Sequence, residues 1–387
     1  MEKFLSVCAV LLLMICESLV PRRRDLADHV SAGNAVLAAM EEEGSDTTGI
    51  VTLPVQRAIQ TRKEGPSDYL NRTAQYVAIN DAKKDLVMAM ADMSICSGSL
   101  PQFTPPPFSS RAKWIVVDAN WAPSRIREIM TTSGHASVAF EPVSVAKSAQ
   151  LFQPDVEKSS VIEKYRVTVD VFPKNIVDLA TPNQYELAAM HASAKKHEFF
   201  ESDRWWQIID ALGIPSSGAR DRFVSLTSHK MTDEGIPLQT IQLLPFIPTI
   251  ITKLGADGVL FTKLLKPDDY RLSLPAAAPY ILSRNSNGST EVGGVYMRLF
   301  PAVERVDDVV SVNGVGDTFL GVFMAGLARG LNMERLINIS QKAAVMTLRS
   351  SEAVSPYLGR LSNGLEKMAE TDENEARDAA LLAAAGF

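Results

Sequence analysis

The alternation of short apolar runs with helical runs between residues 114 and 300 is the feature that most constrains the fold. Apolar runs predict strands at residues 114–117, 137–140, 176–179, 249–252, 259–263 and 295–300. Apolar residues three and four apart predict helices at residues 124–130, 184–196 and 205–212. Repeated strand–helix–strand units with continuously apolar strands predict an α/β fold, with a mostly parallel sheet between helices on both faces. Ligands of such sheets bind beyond the carboxyl ends of the strands.

The segments on either side of this region have other patterns. Residues 25–40 have helical spacing, residues 50–55 predict a strand, and alternating runs at 73–79 and 86–90 predict a β-hairpin with one exposed face. The polar, Pro- and Ser-rich residues 267–294 predict a surface loop. We therefore expect one main domain over residues 25–365, with partial lid strands at about 50–95, and a charged, Ala-rich tail at 366–387.

Composition limits the classes of partner. The 387-residue chain has a formal net charge of −6 and no Lys/Arg block long enough to follow a nucleic-acid backbone, so we expect no nucleic-acid partner. Its three cysteines are too few and scattered for a disulfide framework or a zinc site. The five histidines show no metal-ligand spacing, so a bound metal is expected to have oxygen ligands.

The N-terminal segment, residues 1–24, permits more than one interpretation. A lysine followed by an almost entirely apolar run at residues 4–16 is typical of a signal peptide and is short for a membrane-spanning helix. The three arginines at 22–24 oppose translocation of the residues after them. A buried helix or strand and a gene-start artefact are the other interpretations, and we expect a cytoplasmic protein without a membrane partner.

A glycine-rich stretch follows the last predicted strand. Residues 309–312 predict a short strand that leads into Gly314, Val315, Gly316 and Asp317, and helical spacing continues to residue 331. Glycines let the main chain approach a phosphate, and the unpaired N–H groups of a first helical turn attract anions. A phosphate would repel Asp317, so its expected role is that of a general base toward an attacking hydroxyl. The alternative is a plain glycine turn with Asp317 as a helix cap.

A second candidate is the pair Asn183 and Glu186, which are three residues apart at a predicted helix start. Spacing of three places them on one face, where their oxygens could organise a magnesium ion through water. The alternative is a helix cap with a capping-box acid.

Several segments occur in the order found in the ribokinase-like, or PfkB, carbohydrate kinases, which this sequence resembles over roughly residues 45–360. The segments are Asp118-Ala119-Asn120, Thr181 to Glu186 with Asn-x-x-Glu, Thr252 to Gly258, Asn313 to Asp317, and a late helix and turn at residues 343–353. Three further segments are similar to the pseudouridine kinase branch, including the kinase half of fungal two-part pseudouridine-degrading proteins: Arg72 to Tyr76, Phe140 to Ser144 and Ser311 to Asn313.

The resemblance implies a ribokinase-like α/β/α fold and transfer of a phosphoryl group from ATP, with Mg²⁺, to a sugar or nucleoside hydroxyl, pseudouridine preferred. Asp317 would be the base, with Gly314, Val315 and Gly316 as the anion hole. The residues that it assigns to the nucleotide are Thr252, Gly255, Asp257, Gly258, Ala343 and Ala353. A plain β-turn is the alternative for the glycines after residue 252. The lid sheet is a candidate homodimer surface.

The sequence also departs from the family pattern. The family's first strand with its substrate-binding Asp, and its Gly-Gly segment with a sugar-binding Asn, have no counterpart in the sequence, which resembles an N-terminally truncated member. The phosphate half of the site is therefore expected to be present and much of the sugar half missing. A catalytically impaired pseudokinase or a nucleotide-binding partner is the alternative function.

Overall fold

The computed structural model describes residues 112–132, 134–153, 169–215 and 217–368, together with shorter segments between residues 15 and 96. The chain divides into two compact units. One unit is Lys113–Arg305, and the other combines Met1–Ala112 with Val306–Phe387.

The unit Lys113–Arg305 is built on a seven-stranded sheet with the order β10-β11-β9-β8-β7-β6-β5. Its strands are β5 (Trp114–Asp118), β6 (Ser137–Glu141), β7 (Leu179–Ala180), β8 (Thr249–Lys253), β9 (Val259–Leu265), β10 (Ile281–Arg284) and β11 (Gly294–Phe300). Pairing is parallel from β5 to β8 and antiparallel from β8 to β10. The change follows from connection length, because the few residues between β8 and β9 can close a hairpin but not a parallel crossover.

Seven helices of this unit lie among the described residues. They are α1 (Pro123–Thr131), α2 (Val145–Ser148), α3 (Gln184–Lys196), α4 (Asp203–Ala211), α5 (Ala219–Leu226), α6 (His229–Asp233) and α7 (Ile236–Leu243). Several begin at residues whose side chains accept backbone N–H groups, as Ser144 does for α2 and Ser202 for α4. Local capping chemistry therefore fixes where these helices start.

The core of the unit is formed by the sheet and an aromatic cluster beside it. Phe140, Leu179, Ile250 and Phe261, on four neighbouring strands, are fully buried. Phe152, Phe199, Phe200 and Phe246 contact one another at ring-centroid distances of 5.3–6.3 Å. Trp205 is buried and its Nε1 donates to the Gln242 carbonyl, whereas Trp206 is half exposed. Trp205 is therefore a packing residue of this core.

Among its described residues, the other unit contains two small sheets and two long helices. Strand β1 (Ile15–Glu17) pairs in parallel with β2 (Thr52–Pro54). Strands β3 (Gln75–Asn80) and β4 (Leu86–Asp92) form the predicted antiparallel hairpin. Helices α8 (Val315–Ala328) and α9 (Met333–Leu348) pack together, with Gly326 close to the Leu336 side chain. Asn332 caps α9 by accepting the N–H groups of Glu334 and Arg335.

The structure confirms the α/β class and most predicted elements, and it corrects three of them. The strand expected at residues 309–312 is absent; the N–H groups of Val310 and Ser311 instead donate to the Leu348 carbonyl at the end of α9. The strand expected at 176–179 is the two-residue β7. The loop expected at 267–294 includes β10, because Ile281 and Leu282 are buried against β11.

Much of the N-terminal segment and the tail lies outside the described residues. Residues 1–14, 18–24 and 369–387 are in this category, so their predicted roles stay predictions. Among the residues that the structure does describe, no helix combines the length and apolar character needed to span a membrane.

Candidate functional site

Gly314 forms the turn of the glycine-rich stretch. It precedes α8 with a φ of 71°, in the left-handed region, and the Thr318 N–H donates to its carbonyl at 2.8 Å. A Cβ at this position would lie 1.7 Å from the Ala353 carbonyl oxygen. Both conformation and space therefore require glycine here.

The first turn of α8 presents backbone donors and one acid. By helix geometry, the N–H groups of Val315, Gly316 and Asp317 have no intrahelical acceptor. The Asp317 side chain is exposed. An anion site with a carboxylate at its edge could bind a phosphoryl group while the acid accepts a proton from a nearby hydroxyl.

The end of α9 holds this turn in place. Thr347, which is buried, contacts the Thr318 hydroxyl at 2.8 Å and accepts the Ser355 N–H at 3.1 Å. Ala353 lies on the resulting turn, is exposed, and contributes its carbonyl next to Gly314. Ala343 is fully buried within α9, so its side chain is removed from solvent. Of the two alanines that the resemblance assigns to the nucleotide, only Ala353 is therefore accessible.

In the unit Lys113–Arg305, polar side chains collect at the carboxyl ends of the parallel strands. Asp118 ends β5, Glu141 ends β6, Thr181 follows β7 and Lys253 ends β8. Asp118 and Glu141 are register partners, and Asn183 forms a parallel bridge with Lys253. The sheet thus brings these residues to the edge where α/β proteins bind ligands.

A buried ion pair lies at the centre of this edge. Lys253 Nζ is 3.0 Å from Glu141 Oε1, with side-chain exposures of 17% and 10%. The Thr181 hydroxyl donates to the other carboxylate oxygen, Oε2. Burial raises the pKa of the Glu141 carboxyl above its ordinary value; the nearby Glu186 adds to the rise, while Lys253 and Thr181 oppose it.

Asn183 and Glu186 form the capping box at the start of α3. Asn183 Oδ1 accepts the N–H groups of Tyr185 and Glu186, and Glu186 Oε2 accepts the Asn183 N–H at 2.8 Å. The cap interpretation is therefore correct. A metal ion could use only those lone pairs of the Asn183 and Glu186 oxygens that the cap does not already use. Among the described residues, no group of three His, Cys, Asp or Glu could hold a metal. The donor set fits a hydrated magnesium ion contacted through water.

The predicted nucleotide residues lie on and beside the turn between β8 and β9. Gly258 has a φ of 95°, and a Cβ on it would lie 2.1 Å from the Phe300 carbonyl oxygen, whereas the Cβ position of Gly255 is open. The Asp257 carboxylate pairs with Lys230 at 3.0 Å. The Thr252 hydroxyl is fully buried, without a hydrogen-bond partner in the described structure. Residues 255–257 are the exposed part of the turn.

The predicted site residues therefore form two groups. The first group lies in the unit that contains Val306–Phe387 and comprises the anion turn, residues 314–317, with the α9 residues and the turn that support it. Its predicted site residues are Gly314, Val315, Gly316, Asp317, Ala343 and Ala353. Those of the strand edge belong to the unit Lys113–Arg305: Asn183, Glu186, Thr252, Gly255, Asp257 and Gly258.

The sequence predictions assigned no role to Glu141, Thr181 or Lys253. The sequence could have indicated these residues, because each is a polar residue at or just after the end of an apolar strand. Their mutual contacts were not readable, since they join positions 40 and 112 residues apart.

Comparison with known sequences gives two matches. Residues 239–358 match the profile of the pfkB family carbohydrate kinases. Over 293 residues the chain is 31% identical to a pseudouridine-metabolizing bifunctional protein of Schizosaccharomyces pombe. That alignment includes 75% of this chain but only 35% of the relative, so the chain spans about a third of the length of the curated relative that it matches.

Solved structures with a similar chain path include two kinases. A ribokinase from Cryptococcus neoformans var. grubii serotype A, in complex with ADP, has a TM-score of 0.49 at 16% identity, covering 91% of this chain and 81% of its own. A nucleoside kinase from Methanocaldococcus jannaschii has a TM-score of 0.49 at 11% identity, covering 95% and 83%.

Replacing Gly314 by alanine tests the geometry of the anion turn. We expect Gly314→Ala to lower the free energy of unfolding by at least about 1–2 kcal/mol, because a left-handed alanine is strained and its Cβ meets a backbone carbonyl. Gly321→Ala is the matched control in the same helix: its Cβ meets nothing within 4 Å, so it should raise stability by about 0.5–1 kcal/mol. Denaturant unfolding measures both, and equal effects would contradict the described turn.

The raised pKa of Glu141 predicts a pH-dependent stability. The ordinary value is 4.5, and a carboxyl whose pKa is raised by folding binds its proton more tightly in the folded state. Its ionisation therefore costs stability as the pH rises from about 4.5 through the folded pKa. We expect the unfolding free energy of the wild type minus that of Glu141→Gln to fall over this window. A difference that grows with pH would mean that attraction to Lys253 outweighs burial.

Proposed function

We propose that the chain belongs to the PfkB family of carbohydrate kinases, whose profile residues 239–358 match, and that it transfers the γ-phosphoryl group of ATP to a hydroxyl group of a sugar or nucleoside. The observation that carries this proposal is the first turn of α8, where the exposed Asp317 stands beside backbone N–H groups that no intrahelical carbonyl accepts. Phosphoryl transfer needs positioning and charge neutralisation more than covalent chemistry, and this turn can supply both.

The residues of α8 have distinct roles in the proposed reaction. Asp317 accepts the proton of the acceptor hydroxyl as the hydroxyl oxygen bonds to the γ-phosphorus and the bond to the β-phosphate oxygen breaks, releasing ADP. The N–H groups of Val315 and Gly316 hold the transferred phosphoryl oxygens. Gly314 permits the turn that aims these donors.

The strand edge of the unit Lys113–Arg305 is proposed to bind the nucleotide and its metal. Residues 255–257 are exposed and can contact the nucleotide, and Gly258 fixes the turn. Glu186 would hold magnesium through water, with Asn183 fixing the orientation of the glutamate. Bound magnesium neutralises charge on the β- and γ-phosphates.

Pseudouridine is the proposed acceptor. The support is the 31% identity with a pseudouridine-metabolizing protein over 75% of this chain. The relative is a bifunctional protein, and this chain matches only part of it. The proposal therefore concerns the kinase step alone.

An activity assay with Asp317→Asn tests the proposed base. With ATP, magnesium and pseudouridine, we expect the variant to lose about 10²–10⁴-fold in kcat while its affinity for ATP stays near that of the wild type. Asp308→Asn is the matched control, since Asp308 is an exposed acid of the same segment and pairs with Arg349. ATP binding by the wild type without turnover of pseudouridine, ribose or another nucleoside would replace the kinase proposal with a nucleotide-binding role.

We also propose that the β3–β4 hairpin binds a second copy of the chain. Val77 pairs with Met90 and Ile79 with Met88, so the four side chains share one face, and they are 48–56% exposed. A two-stranded sheet with an uncovered apolar face is marginally stable in water and is stabilised when a partner covers it.

The oligomeric state of two variants tests this surface. By sedimentation velocity, the wild type should be a dimer and Ile79→Lys should shift it to monomer, because a charged side chain would be buried in the interface. Ala91→Lys is the control on the opposite face of the same hairpin, since Ala91 is next to Met90 in the regularly paired part of β4 and is exposed. A monomeric wild type, or equal effects of both variants, would exclude this interface.

A further inference from the structure

We propose that Lys253 and Glu141 are positioning residues of the phosphotransfer site: their ion pair holds the start of α3, with Glu186, in register with the glycine turn after β8. This inference rests on the proposed function, and it adds residues to which neither the sequence patterns nor the resemblance assigned a role.

Lys253 joins two candidate ligand-binding segments through its backbone. Its N–H donates to the Pro182 carbonyl at 2.8 Å, and Lys253 and Asn183 form a parallel bridge. The next residue, Leu254, donates its N–H to the Gly258 carbonyl at 2.9 Å and so opens the glycine turn. The backbone of Lys253 therefore stands between the cap of α3 and the proposed nucleotide turn.

The Lys253 side chain makes a second connection to the same segment. Its Nζ lies 3.0 Å from Glu141 Oε1 and 3.4 Å from Oε2. Because Glu141 also accepts the Thr181 hydroxyl, the pair links the ends of β6 and β8 to the residues just before Asn183. The cap of α3 is thus held by the main chain of Lys253 and, through Glu141, by its ammonium group.

Lys253 compensates negative charge at this edge, which is a role beyond packing. Glu186 is close enough to Glu141 to raise the pKa of the Glu141 carboxyl, and both residues are less than 10% exposed. One ammonium group therefore offsets the repulsion between two buried carboxyl groups. Without it, repulsion acts directly on Glu186, the residue proposed to face magnesium.

A second ion pair at the same turn shows what burial contributes. Lys230 and Asp257 are also 3.0 Å apart, but their side chains are 63% and 46% exposed. An exposed pair is screened by water and contributes little. The buried pair is screened much less, and removing one partner leaves an uncompensated charge. The positioning role therefore belongs to Lys253 and not to Lys230.

Nucleotide binding with and without magnesium tests this role in the full chain. We measure the Kd for ATP and the magnesium concentration of half-maximal binding for the wild type, Lys253→Met, Lys253→Arg and Lys230→Met. Removal of an outer-shell partner weakens metal binding, so Lys253→Met should raise the half-saturating magnesium concentration by about 10–100-fold. Lys253→Arg should restore most of the loss because it keeps the cation, and Lys230→Met should match the wild type.

A double variant separates positioning from folding. Glu141→Gln/Lys253→Met removes both charges, so its melting temperature should recover relative to Lys253→Met while its magnesium dependence stays weak. Recovery of magnesium dependence together with stability would overturn the positioning role, as would a wild-type response of Lys253→Met. In both cases the proposed function would stand if the wild type phosphorylates pseudouridine, ribose or another nucleoside with magnesium–ATP. Absence of ATP binding by the wild type would instead overturn the proposed function, and the positioning role with it.

Discussion

The buried ion pair between Lys253 and Glu141 is the interaction on which the strand edge of the larger sheet depends. Parallel strands end at a common edge, and each end must satisfy polar groups that the ladder no longer pairs. Here Thr181 and Lys253 satisfy the carboxylate at the end of β6, and the Lys253 backbone satisfies the Pro182 carbonyl. The same contacts fix the cap of α3, so stability and the geometry of the candidate site have one origin.

The anion turn before α8 obeys a different constraint, which is steric. Gly314 has no space for a Cβ because the Ala353 carbonyl oxygen occupies it, and the buried Thr318–Thr347 contact keeps α8 and α9 in register. Backbone donors aimed in this way need no reorganisation when an anion arrives. The strand edge therefore depends on charge pairing, whereas the anion turn depends on close backbone packing.

Sequence patterns located elements better than they located contacts. The helix at residues 184–196 was predicted at its observed bounds, because apolar periodicity and a capping acid are local signals. The strand predicted at 309–312 was wrong because apolar residues alone do not provide a neighbouring strand, and the N–H groups there donate to the end of α9. Strand β10 was missed because its pairing with β11 bridges a polar segment.

The sequence by itself determined the α/β class, the glycine turn with Asp317 and the Asn183–Glu186 helix start, since each depends on residues close together in the chain. It left open whether Asn183 and Glu186 form a cap or hold a metal, and the structure shows that their side chains are engaged in the cap. Only the tertiary structure decided that half of the sheet is antiparallel and that Glu141 meets Lys253. Those features depend on burial and on contacts between distant segments, which no local pattern encodes.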